Sequence, residues 1–342
     1  MLHASTRPRL VVRAWCVLAV VMGLRGGAAG SDGSPRQITL LEWNVGWFAL
    51  DDSGGRSAIV HSIDGVGLLD FAVIIEASGS TPKGALGAWS PTSRVLDGLT
   101  LISTHTGHET LALFYNATRW TQTYALPGAF ESGRPWLLAH FTSSAGGGSS
   151  LSSAGGDSSL WVLAVHMPHF LDLKYRLHSP GAELAAALSR GANASGYPVD
   201  AAIVTGDFNE FQWEDNPCPR PYYPKDCREQ AAKRMAPLWD GFFAGGASDV
   251  ATDHTVTCCT KWGPKDRHTT AYTEWRFEYD HVFIAGALRP AAPARLLPYA
   301  YPGTAAPCAT PTCTGEDPPQ NVTASHQGSI HRGWVVELQL AT

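Results

Sequence analysis

Eight stretches of the chain are apolar almost without interruption: residues 38–45, 70–76, 110–115, 136–141, 160–166, 201–205, 279–284 and 334–340. Runs of this length, rich in Val, Ile, Leu and aromatic residues, read as strands covered on both faces rather than as alternating, half-wet strands. Helical patterns fall between some of them. Gly181 to Ser189 carries an Ala-Glu-Leu-Ala-Ala-Ala-Leu run, and a second helix is expected over Arg56 to Leu69. Residues 143–159 are a Ser/Gly tract between two strands, expected to be a long mobile hairpin loop without chemistry of its own. Residues 212–236 and 286–320 are rich in Pro and Cys and are expected to be surface loops stapled by disulfides. There is no internal repeat.

The first thirty residues stand apart from this pattern. Arg7, Arg9 and Arg13 precede the uncharged stretch Ala14 to Leu24, and small residues follow from Gly26 to Gly30. That layout is a secretory signal peptide, and its apolar part is too short to span a bilayer comfortably. A short uncleaved anchor is the alternative, kept open by Arg25. Residues 31–342 are then one large domain, secreted or held in an endomembrane lumen and expected to act as a monomer. Its 44% apolar content suits a sizeable core, and no later stretch reads as a membrane span.

The leader removes four arginines and no acids, so the formal charge of −5 becomes −9. A strong basic face for gripping nucleic acid is therefore not expected, although a metal could mediate local contact with a phosphodiester. Of seven cysteines, Cys16 leaves with the leader. Cys218, Cys227, Cys258, Cys259, Cys308 and Cys313 remain, an even number that reads as up to three disulfides in a secreted chain. Cys218–Cys227 and Cys308–Cys313 would close short loops. No paired Cys-x-x-Cys or Cys/His array favours zinc. Glycosylation sequons stand at Asn116, Asn193 and Asn321.

The informative feature is where the polar residues fall. Asn44, Glu76, His166 and Asp207 each lie at or just past the C-terminal end of an apolar strand. Buried strands present such residues to loops on a rigid scaffold. Singly, each is an ordinary turn or core residue; together they offer mixed oxygen and imidazole donors. The phrase Val204-Thr-Gly-Asp-Phe-Asn-Glu210 is the most specific. Gly206 permits a tight path, and alternation is expected to point Asp207 and Asn209 the same way, with an Asx-type turn as the plain alternative.

Val-Thr-Gly-Asp-Phe-Asn resembles the Gly-Asp-x-Asn signature of the endonuclease/exonuclease/phosphatase superfamily. Five more blocks follow the family's order. Glu42-Trp-Asn-Val45 resembles the opening strand, Ile74-Ile-Glu76 the metal-binding Leu-Gln-Glu, and Val165-His166 the His that contacts the scissile phosphate. Arg276-Phe-Glu-Tyr-Asp280-His-Val resembles the Arg-x-Asp-Tyr-Ile strand. Ser329-Ile-His331 with the following strand resembles the closing Ser-Asp-His. The match covers residues 38–340 and implies a four-layered α/β sandwich of the deoxyribonuclease I type, with two packed mixed sheets and helices outside. Glu109 is similar to the Glu that pairs with the phosphate-contacting His, and Arg134 to a substrate-binding Arg nearby.

The resemblance implies hydrolysis of a phosphoester by in-line attack of water, with charge spreading over the phosphoryl oxygens. Glu76 and Asn44 would hold Mg2+, or Mn2+ in its place, and Ca2+ could play a structural part. His331, held by Asp280, and Asp207 are rival activators of the water. Asn209 would position it, and His166 would serve the phosphate or leaving oxygen. The substrate stays open among nucleic acid, phospholipid and inositol phosphate, because loops rather than fold decide it. Loop aromatics Trp213, Tyr222, Tyr223, Trp262 and Tyr272 could stack a base, touch a membrane or simply pack. One departure stands out: Ile330 occupies the place of the closing Asp. The alternative reading is therefore a catalytically weakened enzyme or an inactive binding module on the same fold.

Overall fold

The computed structural model describes residues 36–46, 53–77, 93–106, 109–143, 158–168, 179–209, 227–243, 247–250, 279–297 and 331–340, all within the compact unit Pro35–Thr342. In chain order the elements are β1 (Arg36–Asn44), α1 (Ser53–Asp64), β2 (Phe71–Ile75), β3 (Thr100–Thr106), β4 (Glu109–Tyr115), β5 (Trp120–Ala129), β6 (Pro135–Ser143) and β7 (Ser159–His166). They continue with α2 (Pro180–Ser195), β8 (Ala201–Asp207), α3 (Cys227–Phe242), β9 (Ser248–Asp249), β10 (Asp280–Gly286), β11 (Leu288–Pro290), β12 (Arg295–Leu296) and β13 (Trp334–Leu340). One sheet runs β11-β13-β1-β2-β4-β3, with β12 also beside β13; the other runs β5-β6-β7-β8-β10-β9.

Each sheet has one parallel pair at its centre, β1 with β2 and β7 with β8, and antiparallel neighbours outside. A parallel pair needs a crossover, and α1 and α2 lie in those two connections. The inner faces of the sheets meet through Leu40, Phe71, Val73 and Ile75 on one side and Leu137, Val162, Ile203 and Val282 on the other. Ile59 and Ile63 of α1 cover the outer face of the first sheet against Leu41, Trp43 and Ile74. Leu184 and Leu188 of α2, with Met235 and Leu238 of α3, cover the second against Leu138, Leu163 and Val204. These layers are the expected mixed sandwich. Both faces of the central strands are buried, which is why their sequences are apolar rather than alternating.

Local signals set the ends of α2. Ser179 accepts a hydrogen bond from the Ala182 backbone N–H, Pro180 takes the first turn, and Gly196 closes the helix at φ 75. The helix therefore runs past Ser189 to Ser195. In contrast, α1 stops at Asp64, because Gly65 and Gly67 break the pattern before Leu69. The Ser/Gly tract joins adjacent antiparallel strands β6 and β7, as a hairpin loop requires.

Three expectations need correction. Residues 212–236 are not all loop: α3 begins at Cys227, where good helix formers surround Met235 and Leu238 at i, i+3 spacing. Residues 286–320 contain the short strands β11 and β12, which complete the edge beside β13. Strands β3 and β5 were not expected from the sequence at all. Both lie at sheet edges, where β3 can be Thr-rich and exposed and β5 can carry Pro127. No helix among the described residues is long and apolar enough to cross a membrane.

Candidate active site

Sheet register gathers the polar strand ends. Asn44 pairs with Ile75, so Glu76 emerges beside it; His166 pairs with Asp207, and Asp280 lies opposite Asp207 on β10. Glu109 opens β4, and His331 stands three residues before β13. Gly206 lets β8 approach this end: at φ +142, a Cβ there would lie 2.0 Å from the Val165 carbonyl oxygen.

Asp207 Oδ2 is the hub. The Asn44 side-chain amide donates to it at 2.8 Å, His166 Nε2 lies 3.5 Å away, and His331 Nε2 4.0 Å away. The same Asn44 nitrogen reaches Glu76 Oε1 at 3.5 Å, while Asn44 Oδ1 accepts from the Gly46 N–H at 3.0 Å. Asn44 is thus pinned by the backbone and bridges carboxylates from the two sheets.

Asn209 does not follow by strand alternation, and that expectation is corrected. Its N–H donates to Asp207 Oδ1 at 2.9 Å, an Asx-type turn that ends the strand. Its side-chain amide then donates to the Met167 carbonyl at 3.0 Å. Asn209 at φ 47 and Glu76 at φ 54 are the non-glycine residues with positive φ among those described. Both flank the site, and each such backbone costs about 1 kcal/mol or more, held by the surrounding packing.

Two carboxylate–imidazole pairs face this hub. Asp280 Oδ2 lies 2.7 Å from His331 Nδ1, and Trp334 and Trp43 indole N–H groups anchor the Asp280 and His331 carbonyls at 3.0 and 3.1 Å. Glu109 Oε2 lies 3.0 Å from His166 Nδ1. The Arg134 guanidinium touches His166 Nε2, donates to the Met167 carbonyl at 3.3 Å and approaches Glu109 at 3.9 Å. Burial pulls the His331 pKa down, but the charge and hydrogen bond of Asp280, with Asp207 and Glu76, outweigh it and raise it to about 9. Burial raises Asp207, opposed by His331 and reinforced by Asp280.

Ligand atoms of Asp207, Asp280 and His331 lie within 4.8 Å of one another, a spacing one cation can bridge. Glu76, 15% exposed, faces the same space with Oε1 3.8 Å from His166 Nε2. Mostly oxygen donors of this kind fit a hard divalent ion.

One neighbour has no assigned part in the sequence reading. Glu42, on the same face of β1 as Asn44, is fully buried, and burial with Asp280, Asp207 and Asp249 pushes its carboxyl well above the usual range. A charged residue two positions before Asn44 in an otherwise apolar strand was the available signal.

Several sequence-predicted residues lie outside the described residues: Ile330, Cys218, Cys258, Cys259, Cys308, Cys313, Asn321 and the loop aromatics. The backbone of Cys227 opens α3, but its side chain is outside them too. Asn193 is exposed in the last turn of α2, whereas the Asn116 side chain accepts from Thr118 N and Oγ1 in the turn before β5.

No family model and no curated protein matches the chain. Among solved structures it is similar to D. rerio TDP2 complexed with single strand DNA product, at 14% identity over 88% of this chain and 98% of that one, TM-score 0.53. It is similar to an endonuclease/exonuclease/phosphatase family protein from Bacteroides thetaiotaomicron, at 13% identity over 90% and 96%, TM-score 0.52. It is also similar to ANGEL2, a 2',3'-cyclic phosphatase in complex with adenosine-2',3'-vanadate, at 10% identity over 90% and 97%, TM-score 0.52. At these identities the likeness is one of fold: the deoxyribonuclease I-like sandwich of the endonuclease/exonuclease/phosphatase structures.

Proposed function

We propose that this protein is a divalent-metal-dependent phosphoester hydrolase of the endonuclease/exonuclease/phosphatase type. The observation that carries the reading is the convergence on Asp207 Oδ2 of Asn44, His166 and His331, delivered by both sheets. Glu76 and Asn44 would hold Mg2+ or Mn2+. When bound, the ion supplies positive charge that polarises the phosphoryl group.

The chain's own residues supply the rest. Asp207, a carboxylate made more basic by burial, accepts the proton of the attacking water, and the Asn209 N–H fixes its other oxygen. His331 stays imidazolium near neutral pH beside Asp280, so it binds a phosphoryl oxygen as a charged donor rather than acting as the base. His166, backed by Glu109, gives a proton to the leaving oxygen as its bond to phosphorus breaks. Arg134 beside it binds a non-bridging oxygen.

Hydrolysis of bis(p-nitrophenyl) phosphate, with and without EDTA, tests the reading; absence of EDTA-sensitive turnover would overturn it in favour of a binding module. Plasmid DNA, RNA, sphingomyelin and phosphoinositides, assayed the same way, identify the substrate class. Residues 1–30 are proposed to be a secretory leader. Amino-terminal sequencing of secreted protein should place the mature start near Ser31, with no more than one or two free thiols by non-reducing mass spectrometry.

A further inference from the structure

The Asp280–His331 pair is assembled across the sandwich. Asp280 opens β10 in one sheet, whereas His331 lies three residues ahead of β13 in the other. The strands that carry them are not paired with each other, yet Asp280 Oδ2 meets His331 Nδ1 at 2.7 Å. A working pair of this kind needs both partners held to within about 0.5 Å.

Two buried indoles make the tie. Trp334 faces the space between the sheets, and its N–H donates across that space to the Asp280 carbonyl at 3.0 Å. Trp43 faces the other way, under α1, and its N–H donates to the His331 carbonyl at 3.1 Å. The two stand on adjoining positions of one ladder, since Trp334 pairs with Glu42, the residue before Trp43. One sheet therefore grips both halves of the pair, each from a different face. The rings are 0% and 4% exposed, for Trp43 and Trp334, and cannot shift without disturbing close-packed neighbours. Gly333 completes the arrangement. A Cβ there would lie 2.8 Å from Trp43 Cγ and 2.9 Å from the Glu42 carbonyl oxygen, so only glycine lets the connection lie against Trp43. A buried indole commonly finds some carbonyl, as Trp161 does at Pro198, away from the site. What sets Trp43 and Trp334 apart is that their two carbonyls belong to the two members of one pair.

We propose that Trp43 and Trp334 are positioning residues: their indole N–H groups hold the backbones of His331 and Asp280 so that the imidazole stays on its carboxylate with Nε2 toward Asp207. This rests on the phosphoesterase reading and adds to it a backbone tie on each half of the pair. A misplacement of about 1 Å at a group that meets the phosphoryl oxygen can cost about a hundredfold. Loss of either indole donor should therefore lower turnover although neither ring meets the substrate.

The test uses the full mature chain as wild type, Trp43→Phe, Trp334→Phe and Gly333→Ala. Phenylalanine keeps an aromatic ring and loses the donor; alanine at 333 keeps both donors and forces the connection off Trp43. Turnover of bis(p-nitrophenyl) phosphate and thermal melting are measured. So is the proton NMR signal of the His331 Nδ1–H on Asp280, assigned by its absence from His331→Ala. Each variant that folds should lose about tenfold to a hundredfold in kcat, with KM within a few-fold, and its His331 signal should broaden or vanish. In a His331→Ala chain the same substitutions should leave the residual turnover within about twofold, because the group they position is gone. Merely structural indoles would lower the melting temperature, keep the signal and cost the same in both backgrounds. That result overturns the proposal and leaves the phosphoesterase reading standing. Wild type without EDTA-sensitive turnover would sink that reading, and the proposal with it.

Discussion

Asp70 and Asp207 are equally buried, each 1% exposed, at opposite ends of the central strands, and they are used in opposite ways. Asp70 sits just before β2. Its Oδ2 accepts from the Thr39 N–H at 2.9 Å and from Arg119 at 2.7 Å, and its Oδ1 accepts from the Trp120 indole at 2.9 Å. Arg36 stacks over that indole, 4.6 Å from the ring centroid, and closes the network. The Thr39, Arg119 and Trp120 donors are each committed to Asp70. Around Asp207 the partners are two imidazoles and an amide shared with Glu76, with the carboxylate of Asp280 acting on it as well. That end gathers titratable groups and two residues with positive φ, Glu76 and Asn209. Satisfied burial holds a fold together; unsatisfied burial, where the surrounding core can carry its cost, prepares a site for chemistry.

The contrast breaks most sharply under substitution. Asp207→Ala or His331→Ala should lower turnover of bis(p-nitrophenyl) phosphate about a hundredfold to ten-thousandfold, the scale of acid–base and electrostatic effects. The circular dichroism and melting of either variant should stay near wild type; turnover within a few-fold of wild type would mean the site is elsewhere. Asp70→Ala should do the opposite. It strands the buried Trp120 N–H and frees Arg119, so urea unfolding should show a loss of about 3 kcal/mol. Turnover per folded molecule should be unchanged.

A third buried polar group sharpens the point by pH. His140 is fully buried on the outer face of β6, with its ring nitrogens 2.5 Å from Thr123 Oγ1 and 2.6 Å from Ser159 Oγ, and burial lowers its pKa to about 4. The folded value is below the unfolded value of about 6.5, so the unfolded chain takes up the proton first as pH falls. The stability His140 contributes is full above about pH 6.5 and is lost progressively down to about pH 4, roughly 2 kcal/mol of it by pH 5. Chemical unfolding from pH 7 to pH 4 should therefore fall more steeply for wild type than for His140→Gln. Parallel curves would place the proton elsewhere.

The smallest effect concerns Ile330. If it stands where the resemblance implies an Asp, Ile330→Asp should lower the Mg2+ concentration for half-maximal activity a few-fold. An anion near His331 also favours its charged form. An unchanged or weakened metal requirement would mean that the closing motif is misaligned or that the site works without that carboxylate.

Much of the scaffold was legible in the sequence because burial on both faces leaves an unmistakable mark. A strand such as Leu160 to Val165 can hold almost nothing but apolar side chains, so its polar terminus, His166, stands out. Edge strands leave no such mark. Thr100–Thr106 and Trp120–Ala129 are half wet, and their pairing is decided by neighbours far along the chain. The hub residues were visible singly for the same reason as the strands, since each interrupts an apolar run.

What the sequence by itself determined was which residues could be buried and which polar groups would emerge at strand ends, because side-chain transfer from water is a local property. What only the tertiary structure decided was which of those groups meet. That Asn44 bridges Glu76 and Asp207, that Asn209 turns back onto Asp207 instead of continuing the strand, and that Arg134 lies between Glu109 and His166 depend on the packing of two sheets. Charge and hydrogen bonding act over a few ångströms of space, and no pattern along one strand reports the distance to another.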